Sequence, residues 1–276
     1  MEPFKLTASI VLYHTEIAPI KAIVQAFIQL PIPKHLYLID HSSQDNLKEL
    51  SRIDDAVSYH FMNENRGYGA GHNVAINWAI QNKSMYHLVL NPDIEFEAST
   101  LIQIIHKMDE SPEIGLLMPK VIYPTGETQY LCKLLPSPFD LLGRRFLPGF
   151  LKKLFKKHLL QYECRHLDYH QTMDIPNLSG CFMFMRTEAL QKVGAFDSRF
   201  FMYLEDTDLC RRINAFYRTV YFPELEIIHH YHKGSYKFNK LFFYHIQSAV
   251  KYFNKWGWFF DAYRTKKNKE LKVQRD

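Results

Sequence analysis

The 276-residue sequence predicts an α/β fold in which a Rossmann-like, mostly parallel sheet is flanked by helices. Short apolar, β-branched runs alternate with segments whose apolar residues recur at helical spacing, which is the pattern of a doubly wound sheet. Polar residues directly follow several of the predicted strands, where ligands bind in such sheets. A composition of 47% hydrophobic and 23% charged residues excludes a disordered chain.

The elements of the first half follow from this alternation. Residues 8–13 (ASIVLY) form a short, mostly apolar run with β-branched residues and predict a buried parallel strand. The helix predicted over 20–30 ends before Pro31 and Pro33, because proline cannot continue a helix. The remaining predictions are strands over 36–40, 57–61, 87–90 and 114–122 and helices over 71–81 and 99–108, the last capped by Ser99 or Thr100.

The second half is interrupted before the pattern returns. We expect residues 1–235 to form one domain that contains a basic amphipathic insertion at about 136–170. A sheet signal follows at 180–185, with helices over 187–193 and 205–216 and a strand over 219–222. Residues 236–276 predict a basic, aromatic, helical C-terminal extension.

Positive charge is concentrated in two segments. Residues 141–165 hold seven Lys or Arg and one Glu, and residues 233–276 hold eleven Lys or Arg and three acids. Because the formal net charge is +5, the rest of the chain carries −9. A helical wheel over the first segment separates an apolar face from a lysine face, formed respectively by Leu147, Phe150, Leu151, Leu154 and Phe155 and by Lys152, Lys153, Lys156 and Lys157.

Such a face pattern is typical of a helix that lies in a membrane interface, and a helix packed on the domain with solvated lysines is the alternative. Aromatic residues also lie among the C-terminal lysines, a combination that anchors proteins at the lipid headgroups of a membrane; they are Trp256, Trp258, Phe259 and Phe260. The sequence shows no signal peptide and no transmembrane run. We expect a cytoplasmic protein, peripheral on the inner face of the cytoplasmic membrane, with an anionic membrane surface and no nucleic acid as partner.

Asp93 follows a predicted strand within Asn91-Pro92-Asp93. A carboxylate at the carboxyl end of a strand suits Mg²⁺ or Mn²⁺ that also holds diphosphate oxygens. A turn-forming Asp before the next helix is the alternative. His14 and Asp40 are placed on the same rim.

Three carboxylates lie within four residues at the start of a predicted helix: Glu205, Asp206 and Asp208. Like charges in apolar surroundings raise the pKa of at least one carboxyl group, which suits a general base near neutral pH. Pairing of Asp208 with Arg212, four residues on, gives Asp208 a structural role. We therefore assign the functional role to Asp206.

Two further motifs are weaker. His229, His230 and His232 follow a strand and supply imidazoles for half of a metal site. The glycine-rich loop over 65–73 opens a helix and allows close approach to a ligand, although a flexible connection explains it equally well.

In order, the chain contains SIVLYH, LIDHSS, ENRGYGAGHN, LNPD, LSGCFMFMR, GAFDSRFFMYLEDTDLCRR and IIHHYHKGS. This ordered set, over residues 6 to 255, closely resembles the inverting glycosyltransferases of family two, and within them the rhamnosyltransferase branch. The resemblance implies the nucleotide-sugar-binding GT-A fold. It also implies transfer of a sugar, L-rhamnose from dTDP-rhamnose, to a hydroxyl of a polyprenyl-linked or polysaccharide acceptor in cell-surface glycan biosynthesis.

The resemblance further implies a role for individual residues. Asp206 and Glu205 are expected to be the catalytic residues, with Asp206 as the base. Asp93 and His229 are expected to bind Mg²⁺ or Mn²⁺, with Asn91 in place of the first Asp of the family's Asp-x-Asp motif. The residues expected to bind the nucleotide sugar are Tyr13, Asp40, Asn65, Gly67, Asn73, Asn91 and Asp93.

Two other functions remain as alternatives. The pI of 8.8 is compatible with a nucleic-acid-binding protein, but the sequence contains no helix-turn-helix, zinc-finger or RNP signature. A sugar nucleotidyltransferase shares the fold class but does not need the Glu205-Asp206 base beside an acceptor pocket.

Overall fold

The computed structural model describes residues 3–143, 156–230 and 240–273. The strands are β1 (Leu6–Leu12), β2 (Lys34–Asp40), β3 (Val57–Phe61), β4 (Tyr86–Leu90), β5 (Ile94–Glu95), β6 (Ile114–Ile122), β7 (Met173–Asp174), β8 (Phe182–Arg186) and β9 (Arg218–His229). The helices are α1 (Ile17–Ile28), α2 (Tyr68–Gln81), α3 (Ala98–Glu110), α4 (Lys156–Tyr162), α5 (Thr187–Val193), α6 (Glu205–Asn214), α7 (Lys240–Trp256) and α8 (Ala262–Val273). A 3-10 turn at Lys48–Arg52 and a π-helical turn at Phe139–Gly143 complete the elements.

The described strands form one sheet in the order β3-β2-β1-β4-β8-β6-β9-β5, with β7 paired to the start of β9. Six of these nine strands run in one direction, and β5, β7 and β8 run against them. The predicted mostly parallel α/β sheet flanked by helices is therefore confirmed. β8 lies antiparallel between β4 and β6, so it brings the residues that precede it to the carboxyl end of β4.

The spacing of the apolar residues explains how the helices pack in layers against the sheet. All apolar residues of β1 except the partly buried Val11 are fully buried, as expected of a strand covered on both faces. Helix α1 buries Ile20, Ile23, Val24 and Phe27, whose spacing forms one stripe against the sheet. Burial of each such side chain contributes about 1.5–3 kcal/mol.

Several predicted boundaries differ from the structure. Helix α2 begins at Tyr68, three residues before the prediction. The predicted cap of α3 by Ser99 or Thr100 is wrong, because the helix begins at Ala98 with Glu97 as N-cap and no capping side-chain hydrogen bond. Strand β9 continues to His229 with a register shift opposite β6, next to Pro223, which has no N–H to donate.

The C-terminal helices pack on α6 and the segment before it. Arg211 and Asp261 form a buried ion pair, and the Arg211 guanidinium lies 4.2 Å from the centre of the Trp256 ring. The predicted Asp208–Arg212 pair is confirmed, with Nε of Arg212 2.8 Å from Oδ2 of Asp208. Most of the predicted basic amphipathic helix, at 144–155, lies outside the described residues. Within the described ranges, no helix is long and apolar enough to cross a membrane.

Candidate active site

The carboxyl ends of β1, β2 and β4 meet at one edge of the sheet, as predicted. Tyr13 directly follows β1, and its side chain is 54% exposed. Asp40 ends β2 and is buried, with Oδ1 accepting from the Ser42 N–H at 2.8 Å and Oδ2 from the Tyr59 hydroxyl at 2.7 Å. Burial and the bond to Asp40 raise the pKa of Tyr59. The rim thus combines the exposed ring of Tyr13 with the Asp40 carboxylate, which two hydrogen bonds hold in place.

Asp93 and His229 lie side by side. Nε2 of His229 is 3.2 Å from Oδ1 of Asp93, and the His230 N–H donates to the Asp93 carbonyl at 2.9 Å. The antiparallel pairing of β5 with the end of β9 produces this contact. His230 instead contacts Glu95 at 2.8 Å on the surface. His232 lies outside the described residues, so His229 is the described histidine that reaches Asp93.

The Asp93–His229 pair fits a divalent ion. Two ligands about 2.1 Å from a metal and at a right angle to each other lie about 3.0 Å apart, close to the observed separation. Imidazole nitrogen with carboxylate oxygen suits Mn²⁺, and a carboxylate suits Mg²⁺. Across the described ranges, no group of three or more His, Cys, Asp or Glu side chains could hold a metal ion. The pair would therefore need phosphate oxygens and water to complete the coordination.

The glycine-rich loop packs against the segment that leads into α6. Gly67 has φ +91°, and a Cβ there would lie 2.0 Å from the Phe201 carbonyl oxygen. That oxygen accepts from the Tyr68 N–H at 3.0 Å, and Asn65 Oδ1 accepts from the Gly67 N–H at 3.0 Å. The loop geometry therefore requires glycine at 67.

Asn73 uses its side-chain amide on the protein backbone. Its Nδ2 donates to the Phe196 carbonyl at 2.8 Å, and its Oδ1 accepts from the Phe196 N–H at 2.9 Å. This pair of bonds ties α2 to the loop before α6. Asn91, half-buried, donates its backbone N–H to the Cys181 carbonyl at 2.9 Å.

Asp206 lies in the first turn of α6. Its Oδ2 accepts from the Gly180 N–H at 2.9 Å, and its Oδ1 accepts from the Thr207 N–H at 2.7 Å. These donors fix the carboxylate where the positive end of the helix dipole favours an anion. A sharp turn precedes the helix, since Tyr203 (φ +70°) and Leu204 (φ +66°) are both left-handed. Such conformations cost about 1–3 kcal/mol each and concentrate at functional sites.

Glu205, next to Asp206, has a different environment. Its side chain is 5% exposed, and burial followed by the charge of Asp206 raises its pKa well above the ordinary value. The expectation that one carboxyl of this cluster has a raised pKa is confirmed, and that carboxyl is Glu205. The two neighbouring acids therefore differ in environment: Glu205 is buried, whereas Asp206 is half-buried and held by hydrogen bonds.

A cavity of about 160 Å³ borders Asp206. Lys133, Ser179 and His245, from three separate segments, contribute to its wall. None of the three was predicted as a site residue: Lys133 and His245 lie in no motif and follow no predicted strand, and Ser179 lies within LSGCFMFMR, where no role was assigned to it. A second cavity of about 540 Å³ borders Asp93 between α1 and β5.

Residues 180 and 181 connect the two halves of the site. Gly180 donates to Asp206 through its N–H, and its carbonyl accepts from the Tyr68 hydroxyl at 2.6 Å. Burial first, and then nearby groups that include Asp206 and Asp93, raise the pKa of Tyr68. Both acids are therefore within electrostatic reach of one phenol, and the structure brings these distant parts of the chain to one site.

Known proteins with related sequences are sugar transferases. The chain is 29% identical over 146 residues to N-acetylglucosaminyl-diphospho-decaprenol L-rhamnosyltransferase of Mycobacterium tuberculosis, covering 52% of this chain and 46% of that protein. It is 28% identical over 194 residues to rhamnosyltransferase WbbL of Escherichia coli K12, covering 67% and 69%. The chain thus spans about half the length of the mycobacterial relative. No family model matches it.

Solved structures share the fold at low identity. GalNAc-T7 with UDP, GalNAc and Mn²⁺ superposes with a TM-score of 0.61 at 14% identity, over 86% of this chain and 45% of that one. The mannosyltransferase PcManGT from Pyrobaculum calidifontis, in complex with GDP-Man and Mn²⁺, gives 0.55 at 14% identity, over 90% and 65%. These likenesses confirm the predicted GT-A fold.

Proposed function

We propose that this chain, a rhamnosyltransferase-like glycosyltransferase of family two with the GT-A fold, transfers a sugar from a nucleotide diphosphate to an acceptor hydroxyl with inversion. One observation carries the proposal. The short segment 180–181 links the two groups: the Gly180 N–H donates to Asp206, and the Cys181 carbonyl accepts from the N–H of Asn91, two residues before the Asp93 that contacts His229.

The donor would occupy the rim of the sheet. Tyr13 offers its exposed ring to the base, and Asp40 offers a carboxylate held by two hydrogen bonds to the nucleoside. Asn91 and Asp93 stand at the end of β4 for the diphosphate, with Asn65, Gly67 and Asn73 shaping the pocket wall. A Mg²⁺ or Mn²⁺ ion held by Asp93 and His229 would supply charge neutralisation for the leaving diphosphate.

Asp206 would act as the general base. The acceptor hydroxyl gives its proton to the carboxylate as the hydroxyl oxygen attacks the anomeric carbon, and the bond to the nucleotide diphosphate breaks on the opposite face. Burial and the charge of Asp206 raise the pKa of Glu205, which favours its protonated form, and this leaves the general-base role to Asp206. The cavity beside Asp206 gives the acceptor hydroxyl a place to enter.

The finer assignment is L-rhamnose from dTDP-rhamnose, transferred to a polyprenyl-linked or polysaccharide acceptor. It is supported by two relatives named as rhamnosyltransferases, one of which is named for a diphospho-decaprenol acceptor. Thermal stabilisation by a panel of nucleoside diphosphates with Mn²⁺ or Mg²⁺ tests the donor. We expect dTDP to give the largest shift, and a larger shift with UDP or GDP would contradict this donor.

The Asp206→Asn variant tests the proposed reaction. We expect transfer to be nearly abolished while the nucleoside diphosphate still stabilises the protein, because the amide cannot accept the proton. Asp174→Asn, which alters an exposed acid on β7, is the matched control and should keep full turnover. Retained transfer in Asp206→Asn would remove Asp206 from this role.

Membrane association is proposed from the turn between α7 and α8. Phe259 and Phe260 are 78% and 97% exposed, whereas Trp256 and Trp258 are half-buried. The turn is ordered, because the Arg264 guanidinium donates to the carbonyls of residues 258 and 259 and Asp261 pairs with Arg211. A fixed turn that displays two phenyl rings next to a lysine-bearing helix suits the headgroup region of an anionic membrane, on the cytoplasmic face of the cell membrane.

Flotation with phosphatidylglycerol vesicles tests this association. We expect the double variant Phe259→Ser/Phe260→Ser to bind at least about tenfold more weakly, because burial of each phenyl contributes about 1.5–3 kcal/mol. Phe216→Ser removes a phenyl that is 61% exposed elsewhere on the chain and should bind normally. Equal binding of the double variant and the wild type would exclude the turn as the anchor.

A further inference from the structure

Gln129 is a buried side chain to which the proposed transfer assigns no role. It follows a hairpin that extends from β6, in which Ile122 pairs with Thr128, and its N–H donates to the Val121 carbonyl at 2.8 Å. Its side chain is 4% exposed. The hairpin places this amide against His229, at the end of β9.

The hydrogen bonds fix which way the amide points. Its Nε2 donates to the carbonyl of His229 at 2.8 Å and to that of Ile122 at 3.3 Å. Carbonyl oxygens only accept, so this end of the side chain must be the NH₂ group. The other end is therefore Oε1, which lies 3.0 Å from Nδ1 of His229.

This orientation selects one form of the imidazole. Oε1 of Gln129 can only accept, so Nδ1 of His229 must carry the hydrogen. In the neutral ring, Nε2 then carries the lone pair, and this nitrogen is the one 3.2 Å from Asp93 Oδ1. Because His229 is only 4% exposed, bulk water has little access to replace the amide.

We propose that Gln129 is a positioning residue for metal binding, which holds His229 as the Nδ1–H tautomer with its Nε2 directed at the metal position beside Asp93. The inference rests on the metal site of the proposed function. Partners that orient a ligating histidine through its other nitrogen change metal affinity by about 10–100-fold when removed.

Binding of Mn²⁺ alone to the full chain tests the proposal, with free Mn²⁺ followed by electron paramagnetic resonance. We expect Gln129→Leu to raise the Kd about 10–100-fold, because Nδ1 loses its acceptor. Gln129→Glu loses the same donor to the carbonyls of residues 122 and 229 as the Leu variant but keeps an acceptor for Nδ1–H, so it should bind Mn²⁺ more tightly than Gln129→Leu. Gln81→Leu, an exposed glutamine at the end of α2, should change nothing. Equal losses in the Leu and Glu variants would indicate a merely structural role and overturn the proposal.

A spectroscopic readout tests the tautomer directly. In ¹⁵N-histidine-labelled protein at about pH 8.5, where an ordinary imidazole is neutral, His229 should show the Nδ1–H pattern in long-range ¹H–¹⁵N spectra. The signal is assigned by its loss in His229→Ala. An Nε2–H pattern in the wild type would overturn the proposal.

Two ligand variants separate this inference from the proposed function. Asp93→Asn and His229→Ala should both lose Mn²⁺ binding. If both bind Mn²⁺ like the wild type, the metal site itself is wrong. If both lose binding while Gln129→Leu keeps it, the metal site stands and the inference about Gln129 fails.

Discussion

Replacement of Glu205 by Gln should stabilise the fold at neutral pH. In the part of the chain that the structure describes, Glu205 Oε2 has no hydrogen-bond partner, and burial followed by the charge of Asp206 raises the pKa of this carboxyl well above its ordinary value. The folded chain therefore holds a proton that the unfolded chain releases above about pH 4.3. Because the folded state binds the extra proton, the free energy of unfolding falls as pH rises through this range.

The size of the effect follows from linkage. One extra proton in the folded state lowers the free energy of unfolding by about 1.36 kcal/mol per pH unit. The loss accumulates as the pH rises from the pKa of the unfolded chain to the raised pKa of the folded chain, and it levels off above the latter. Gln has nearly the same shape and no proton to lose, so its variant should lack this slope.

Urea unfolding of wild type and Glu205→Gln at a series of pH values measures the effect. The stability of the variant relative to wild type should grow steadily from pH 5.5 to 7.5, by up to about 1.36 kcal/mol per unit. Glu49→Gln, at an exposed glutamate, should give a constant difference. Parallel curves for wild type and Glu205→Gln would refute the assignment of a raised pKa to Glu205.

Three further outcomes follow from the site and its supports. Gly180→Ala places a Cβ 3.1 Å from Cβ of Asp206, so turnover should fall by about 100-fold in a folded protein, and unchanged kcat would contradict this. Asp261→Ala leaves the buried Arg211 without its carboxylate and should lower stability by about 3–5 kcal/mol in urea unfolding, whereas a loss below 1 kcal/mol would mean that the pair is dispensable. Treatment with EDTA should abolish transfer and added Mn²⁺ should restore it, and full activity in the chelator would argue against the Asp93–His229 metal site.

Local signals explain what the sequence predicts well. Apolar periodicity and prolines act over a few neighbouring residues, so β1, β3, β6 and α5 are predicted to within about two residues. Parallel strands end at one edge, so Asp40 and Asp93 are placed on a common rim without knowledge of the packing. The acidic start of α6 is encoded in the same local way.

Features that depend on distant residues required the tertiary structure. Two adjacent histidines have the same sequence signal, and the pairing of β5 with β9 directs His229 to Asp93 and His230 to the surface. Likewise, the tertiary structure distinguishes two adjacent acids. Burial raises the pKa of Glu205, whereas Asp206 accepts a hydrogen bond from the Gly180 N–H.

The sequence by itself determined the fold class and the types of residue at the site, because propensity, periodicity and turn chemistry are properties of short segments. The tertiary structure decided which of those residues meet, and it revealed Gln129 behind His229. Strand register and burial set these contacts, and both depend on how the whole chain packs.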